Sequence, residues 1–286
     1  MKLIRSPQKL QQLLEKERAR GKRVGFVPTM GALHEGHLSL VRASNRENAV
    51  TVGSIFVNPT QFGRNEDYSK YPRVLAQDTK KLRTVKVDYL FCPSAAAMYP
   101  KGYATFVEVS PRLANVLCGK FRPGHFRGVA TVVAKLLNIT GSCRLYLGAK
   151  DFQQTAVISQ LVHDLNMDVQ VRVMPTVREE DGLAMSSRNR YLSPDERRRA
   201  LAISRVLFEF KKDLLQKKEM IVAGLKTRAL RELKKSVDRV QYFEAVDPRT
   251  LAPVKKHQGK IAVLTACFVG KTRLIDNVII PAAGEP

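Results

Sequence analysis

The chain has 286 residues, 44% of them hydrophobic, enough to bury a substantial core as one large domain or two smaller ones. Its 49 Lys and Arg against 26 Asp and Glu give a formal net charge of +23, spread as a surplus of fourteen over residues 1–176 and nine over 177–286, so it is not a basic tail. No run of about 18 apolar residues occurs and the lysine-rich start does not read as a signal peptide, which excludes a membrane span and leads to the expectation of a soluble, cytoplasmic protein.

In chain order, Ser6-Pro7 with Leu10, Leu13 and Leu14, closed by Gly21, reads as a capped helix with Pro7 at its first position. An apolar run from Val24 follows at once and reads as a strand. It ends in a glycine turn and two histidines, Thr29-Met30-Gly31-Ala32-Leu33-His34-Glu35-Gly36-His37, which is the order strand, tight loop, helix start. Short β-branched or apolar runs over 49–57, 87–91, 144–147 and 168–173, separated by helical stretches, predict further strands. Such alternation through residue 176 argues for a parallel sheet covered on both faces, with ligands at the carboxyl ends of the strands. Beyond Pro175 the character changes to Arg-rich helices over 194–210 and 220–235 and two strands near 240–245 and 261–268. The expected organisation is a Rossmann-like α/β domain over 1–176 and a smaller α+β domain over 177–286.

Polar groups cluster where the strand-end rule puts ligands. The first strand leads to His34 and His37, the next to Asn58-Pro59-Thr60-Gln61, and the strand at 144 to Gly148-Ala149-Lys150-Asp151-Phe152-Gln153-Gln154. A helix N-terminus carries unpaired N–H groups and about half a positive charge, so imidazoles beside it suit phosphate oxygens. Gly36 removes a side chain between them and lets a bulky ligand approach the backbone. The histidine spacing does not suit a helical zinc pair, which needs i and i+4. Cys92, Cys118, Cys143 and Cys267 contain no Cys-x-x-Cys pair, which excludes a zinc ribbon and a disulfide framework and predicts packed, reduced thiols. The runs Arg197-Arg198-Arg199, Lys211-Lys212 and Lys217-Lys218 read as solvated helix faces. With no Trp and 7% aromatics, a specific nucleic-acid-binding module is disfavoured.

Together these segments resemble the pantothenate synthetases, the pantoate:β-alanine ligases, within the nucleotidylyltransferase superfamily that shares a His-x-Gly-His signature. The resemblance runs through Pro28 to His37, Phe56-Val57-Asn58-Pro59-Thr60-Gln61-Phe62, Tyr71-Pro72-Arg73, Arg122-Pro123-Gly124-His125-Phe126-Arg127-Gly128, Lys150-Asp151-Phe152-Gln153-Gln154, and Asp181 to Asn189. It covers more than half of the chain in family order, and is weak thereafter until Arg273-Leu274-Ile275-Asp276-Asn277.

The resemblance implies an AMP-forming C–N ligase that condenses pantoate with β-alanine through a pantoyl-adenylate, releasing pyrophosphate and AMP. His37, His34, Lys150 and Arg188 are then the catalytic groups, with His37 in the proton-donor role. ATP is expected at Met30, Gly31, His34, Gly36, His37, Gly148, Ala149, Lys150, Asp151, Val177, Met185, Ser186, Ser187 and Arg188, with Asp151 on the ribose hydroxyls. Gln61 and Gln154 fall to pantoate, and Gln61 also to β-alanine. Mg2+ is implied by ATP, with Asp78 as an assisting ligand. Ser186-Ser187-Arg188 resembles the mobile lysine-serine loop of related adenylate-forming enzymes with arginine as the basic group, which makes the second domain a lid. The expected partners are the three substrates, with no membrane and no specific nucleic acid, in a homodimer.

Two departures from the family pattern stand out. Ala149 replaces a Glu or Gln, and Thr140-Gly141-Ser142-Cys143 replaces a proline-containing turn. The alternative is another His-x-Gly-His nucleotidylyltransferase, one that adenylates or cytidylates a different small acid or a phosphate ester. It shares the first loop but does not predict Asn58 with Gln61, nor Lys150-Asp151 followed by paired glutamines.

Overall fold

A computed structural model describes residues 1–63, 66–216 and 222–282. They divide into two compact units. The first comprises Met1–Ser110, Gly119–Gly148 and Val157–Pro175, and the second comprises Pro111–Cys118, Ala149–Ala156 and Thr176–Pro286. Segments 111–118 and 149–156, which sequence order alone put in the first domain, therefore group with the second unit.

In the first unit, β1 (Lys2–Ile4) precedes α1 (Pro7–Ala19), whose N-cap Ser6 accepts the Lys9 amide and whose Leu10 and Leu14 are fully buried. There follow β2 (Val24–Thr29), α2 (Glu35–Glu47), β3 (Val50–Ile55), α3 (Leu75–Thr84) and β4 (Tyr89–Phe91). Three short helices, α4 (Ala95–Met98), α5 (Pro111–Ala114) and α6 (Leu117–Phe121), lead to the long, mostly buried α7 (His125–Thr140). After α7 come β5 (Cys143–Gly148), α8 (Phe152–Asp164) and β6 (Val169–Met174). The sequence reading missed β1 because three residues carry too little periodicity; it is recruited by parallel pairing with β4.

All pairings in this sheet are parallel, in the order β1-β4-β3-β2-β5-β6. The chain steps outward from β2 through β3 to β4 and then crosses to β5 on the other flank of β2, so the topological switch point lies between β2 and β5. β2 is in register with β3 along its whole length but with β5 only at Gly25 and Phe26. Pro28, lacking an N–H, sits in the stretch where the second ladder has ended. The carboxyl ends of β2 and β5 thus part where a ligand is expected in this fold. Beneath them pack Val27, Leu33, Leu40, Val41, Leu82, Leu90 and Tyr146, all buried.

The second unit contains α9 (Pro194–Gln216), α10 (Val222–Lys234), and three antiparallel strands β7 (Arg239–Val246), β8 (Ile261–Val269) and β9 (Thr272–Ile280) in that order. Ile203, Leu207 and Phe210 of α9 pack with Leu225 and Leu233 of α10 and with Phe243, Val263 and Val278 of the sheet. β9 was not foreseen, because Arg273, Asp276 and Asn277 break its apolar pattern. Residues 217–221, with Lys217-Lys218 and the first positions of the helix expected over 220–235, lie outside the described residues. The α/β reading with a smaller α+β part holds.

The arginine run on α9 corrects the expectation of a purely solvated face. Arg197 donates to both Glu179 and Asp181 at 2.6 Å, and Arg199 reaches Asp238 at 3.1 Å; only Arg198, paired with Asp195, is largely exposed. All four cysteines are buried and free of disulfides. Burial pushes the thiols of Cys92 and Cys267 up to about 11 and that of Cys143 up to about 12, which keeps them protonated and inert.

Candidate active site

In the first unit the loop after β2 is held from below. Asp78 on α3 is buried, and its two carboxylate oxygens accept the Ala32 and Leu33 amides at 2.8 Å each. Lys81, one turn on, donates to the Leu33 carbonyl at 2.6 Å. Thr29 donates to the Ser54 carbonyl and receives the Gly31 amide. Gly31 has φ +85°, and a Cβ there would stand 3.0 Å from Asp78 Oδ2, so glycine is required on both counts. Both Asp78 oxygens are engaged by backbone donors, so its carboxylate shapes the loop.

That loop delivers His34 to the N-cap of α2 in extended conformation, so the helix starts between the two histidines and its dipole points at them. Their rings lie 4.1 Å apart. His37 Nδ1 accepts the His34 backbone N–H at 3.4 Å, which places the ring's donor N–H at Nε2. The geometry thus supplies an imidazole N–H donor at a helix N-terminus.

Gln61 ends the short 3-10 turn Pro59–Gln61 that follows β3. Its amide donates to Met30 Sδ at 3.1 Å and accepts from Asn58 at 3.1 Å, which ties it to the histidine loop. Asn58, almost wholly buried, also donates to the Gly128 carbonyl and accepts from Tyr99 at 2.7 Å. His125 Nδ1 donates to the Gln61 carbonyl at 2.8 Å, so its Nε2 must accept from Arg122 at 2.9 Å. Arg122 in turn forks onto Glu66, 2.7 and 2.5 Å away. Burial pushes the Glu66 carboxyl up, but the hydrogen bonds and charge of Arg122 outweigh it and leave the group below its ordinary 4.5. α7 approaches so closely that a Cβ on Gly128 would overlap the Thr60 carbonyl and stand 2.7 Å from Gln61 Cα.

In the second unit the 3-10 turn Ala149–Asp151 carries Lys150, whose ammonium is 3.7 Å from Asp151, itself half exposed. Gln153 is buried and fully used by its neighbours: it accepts the Cys118 amide and donates to the Leu113 and Val116 carbonyls. Of the paired glutamines, the half-buried Gln154 is therefore the one left for a ligand. The segment Val177 to Met185 folds back on itself through an Arg178–Ala184 bridge and a Met185 to Val177 hydrogen bond. It presents Ser186, which accepts the Arg188 amide and caps the 3-10 helix Ser187–Tyr191. Gly148, last in β5, meets nothing within 4 Å of a built Cβ, so packing does not explain the glycine.

The sequence reading named Asn58 but missed the mounts: the partners of Asn58, Lys81, the Gly128 close approach, and the partners of Asp276 and Asn277. Asp276-Asn277, a polar pair inside an apolar strand, was the available signal. Among the described residues no group of three His, Cys, Asp or Glu side chains is placed to hold a metal ion.

Residues 2–279 match the family model described as pantoate-beta-alanine ligase. A pantothenate synthetase of Thermosipho melanesiensis is 51% identical over 98% of this chain and 99% of its own length. That of Thermodesulfovibrio yellowstonii is 48% identical over 98% and 100%. Among solved structures, pantothenate synthetase from Thermus thermophilus superposes with a TM-score of 0.92 at 43% identity, covering 97% of this chain and 99% of that one. Pantoate-beta-alanine ligase from Francisella tularensis, complexed with beta-gamma ATP and beta-alanine, superposes with a TM-score of 0.80 at 37% identity, covering 98% and 97%. With its sheet, strand-end loops and whole length accounted for, this chain belongs to the pantoate-beta-alanine ligase family.

Proposed function

We propose that the protein condenses pantoate with β-alanine to give pantothenate, using ATP in two steps. In the first, a pantoate carboxylate oxygen attacks the α-phosphorus and pyrophosphate leaves, giving pantoyl-adenylate. In the second, the β-alanine amine attacks the activated carbonyl, the amide forms, AMP departs and the amine proton is lost to solvent. The observation that carries the reading is the pair of histidines at the α2 N-terminus with Gln61 bonded to the same loop through Met30.

In this reading His34 and His37 donate hydrogen bonds to phosphate oxygens as charge grows on the leaving pyrophosphate, and His37 fills the donor role through its Nε2–H. Met30, Gly31 and Gly36 lie along the nucleotide, and the open space at Gly148 suits close passage of the same molecule. Lys150, Ser186, Ser187 and Arg188 bind phosphate and Asp151 the ribose, with Ala149, Val177 and Met185 beside the nucleotide. Gln61 and Gln154 hold pantoate through uncharged groups, which orient the carboxylate without an ion pair that would blunt its nucleophilicity, and Gln61 also meets β-alanine. Magnesium enters as part of the MgATP substrate, its ligands the phosphate oxygens; the Asp78 carboxylate is already engaged and no step is assigned to it. The second unit keeps the lid role that the family resemblance implies, and the enzyme works as a cytoplasmic homodimer. Among the described residues no helix is long and apolar enough to cross a membrane.

The test is incubation with MgATP and pantoate, followed by β-alanine. Pyrophosphate release that requires pantoate, then AMP and pantothenate on adding β-alanine, is expected; nucleotide transfer to a phosphate ester instead would overturn the assignment.

A further inference from the structure

Consecutive residues of a strand face opposite sides, and in a small sheet one of those sides is ordinarily open to water. On β9 the rule is broken at Asp276 and Asn277, which are adjacent, polar and both about 95% buried. Each is buried under a different segment of the second unit. Asn277 Nδ2 donates to the Ala149 carbonyl and to the Lys150 carbonyl, both at 2.9 Å. Asp276 takes the guanidinium of Arg178 on both oxygens, at 2.7 and 2.9 Å, while its Oδ1 also accepts the Asn277 amide. Arg178 donates onward to the Gly182 carbonyl at 3.1 Å and lies 4.7 Å from the Phe208 ring centre. It therefore braces the turn that runs from Val177 to Met185 and ends at Ser186. An apolar pair would pack a three-stranded sheet equally well; a buried carboxylate and amide are tolerated only with these partners, so they specify one arrangement.

We propose that Asp276 and Asn277 are positioning residues that hold the Lys150 turn and the 186–188 loop in one fixed relation, so that both present cationic groups to the same triphosphate. This rests on the ATP-dependent reading given above. A group displaced by about 1 Å loses on the order of a hundredfold in rate, so a strand that fixes two phosphate-binding segments at neighbouring residues is a direct determinant of nucleotide affinity and of the first step.

The test compares Asn277→Ala, Asn277→Asp and the milder Asn277→Ser with the unsubstituted protein in pantoate-dependent pyrophosphate release, each first checked for native melting behaviour. Asn277→Ala is expected to raise KM for ATP about tenfold with KM for β-alanine unchanged, and Asn277→Asp, which sets a carboxylate against two carbonyls, to be worse. Asn277→Ser, retaining a donor, is expected to fall between Ala and wild type. Because the residue acts through the Lys150 turn, Asn277→Ala added to Lys150→Ala is expected to cost less than the product of the two single losses, whereas a merely structural role would multiply them. An unchanged KM for ATP in folded Asn277→Ala and Asn277→Asp, or multiplicative losses in the double variant, overturns the proposal. Failure of the unsubstituted protein to release pyrophosphate with pantoate overturns the reading beneath it instead.

Discussion

Asp78 illustrates how the partners of a carboxylate decide its role. With an amide on each oxygen and almost no exposure, it shapes the Gly31–Leu33 loop. Replacing it with asparagine, which keeps the volume but leaves one amide facing a donor, is expected to cost about 1–3 kcal/mol in denaturant melts and to raise KM for ATP. The magnesium concentration for half-maximal rate is expected to stay put, and a shift of that value would assign Asp78 a metal role instead. Glu66 supplies a second residue-level expectation. Its carboxyl is held below 4.5 in the folded protein by Arg122 against the upward push of burial. The stabilisation is therefore complete above the unfolded value and lost as pH falls through the lower folded one. The Arg122–His125–Gln61 chain should loosen on that acid limb, and Glu66→Gln should show less acid dependence of stability below pH 4.5 than wild type in melts across that range. Such side-chain mounts were not legible in the sequence, because Glu66, Arg122 and Gln61 meet only through the folding of α7 against the turn at Pro59–Gln61.

At the scale of elements, the strand ends were the legible part. Apolar runs followed by Gly and polar clusters located β2, β3 and β5 and the loops behind them, since a buried parallel strand leaves its signature in composition. What escaped was short or interrupted: β1 has three residues, and β9 carries a polar pair whose justification lies in partners 98 to 128 positions away. The α2 N-terminus and the Ser187–Tyr191 turn carry the chemistry of the first step in the proposed mechanism. His37→Ala is expected to slow pantoate-dependent pyrophosphate release by about a hundredfold or more with the fold intact by circular dichroism. Arg188→Ala is expected to lower the same rate and weaken ATP, since arginine can fork onto phosphate oxygens; unchanged turnover would remove the lid assignment.

For the whole molecule, family and fold could be read from motifs spread along the chain, but the way the chain is shared between its two units could not. Sequence order places a boundary near Thr176, whereas Pro111–Cys118 and Ala149–Ala156 pack with the later part. Their tethers are specific: Gln153 fastens 111–118 to 149–156, Cys118 lies 3.0 Å from the Tyr242 hydroxyl and 3.2 Å from Arg273, and Asn277 grips Ala149 and Lys150. A fragment of residues 177–286 would lack all of these and bare Asn277 and Tyr242; it is expected to show no cooperative melt, while the intact chain does.

The backbone passes from one unit to the other five times before settling in the second. The molecule is stitched, and a single cut cannot separate two working halves. Grafting the C-terminal 110 residues onto a relative's sheet would transplant a cap without its seam, because the matching stretches at 111–118 and 149–156 would come from the host. Chimeras within this family should accordingly succeed or fail by whether those two short stretches travel with the piece they hold.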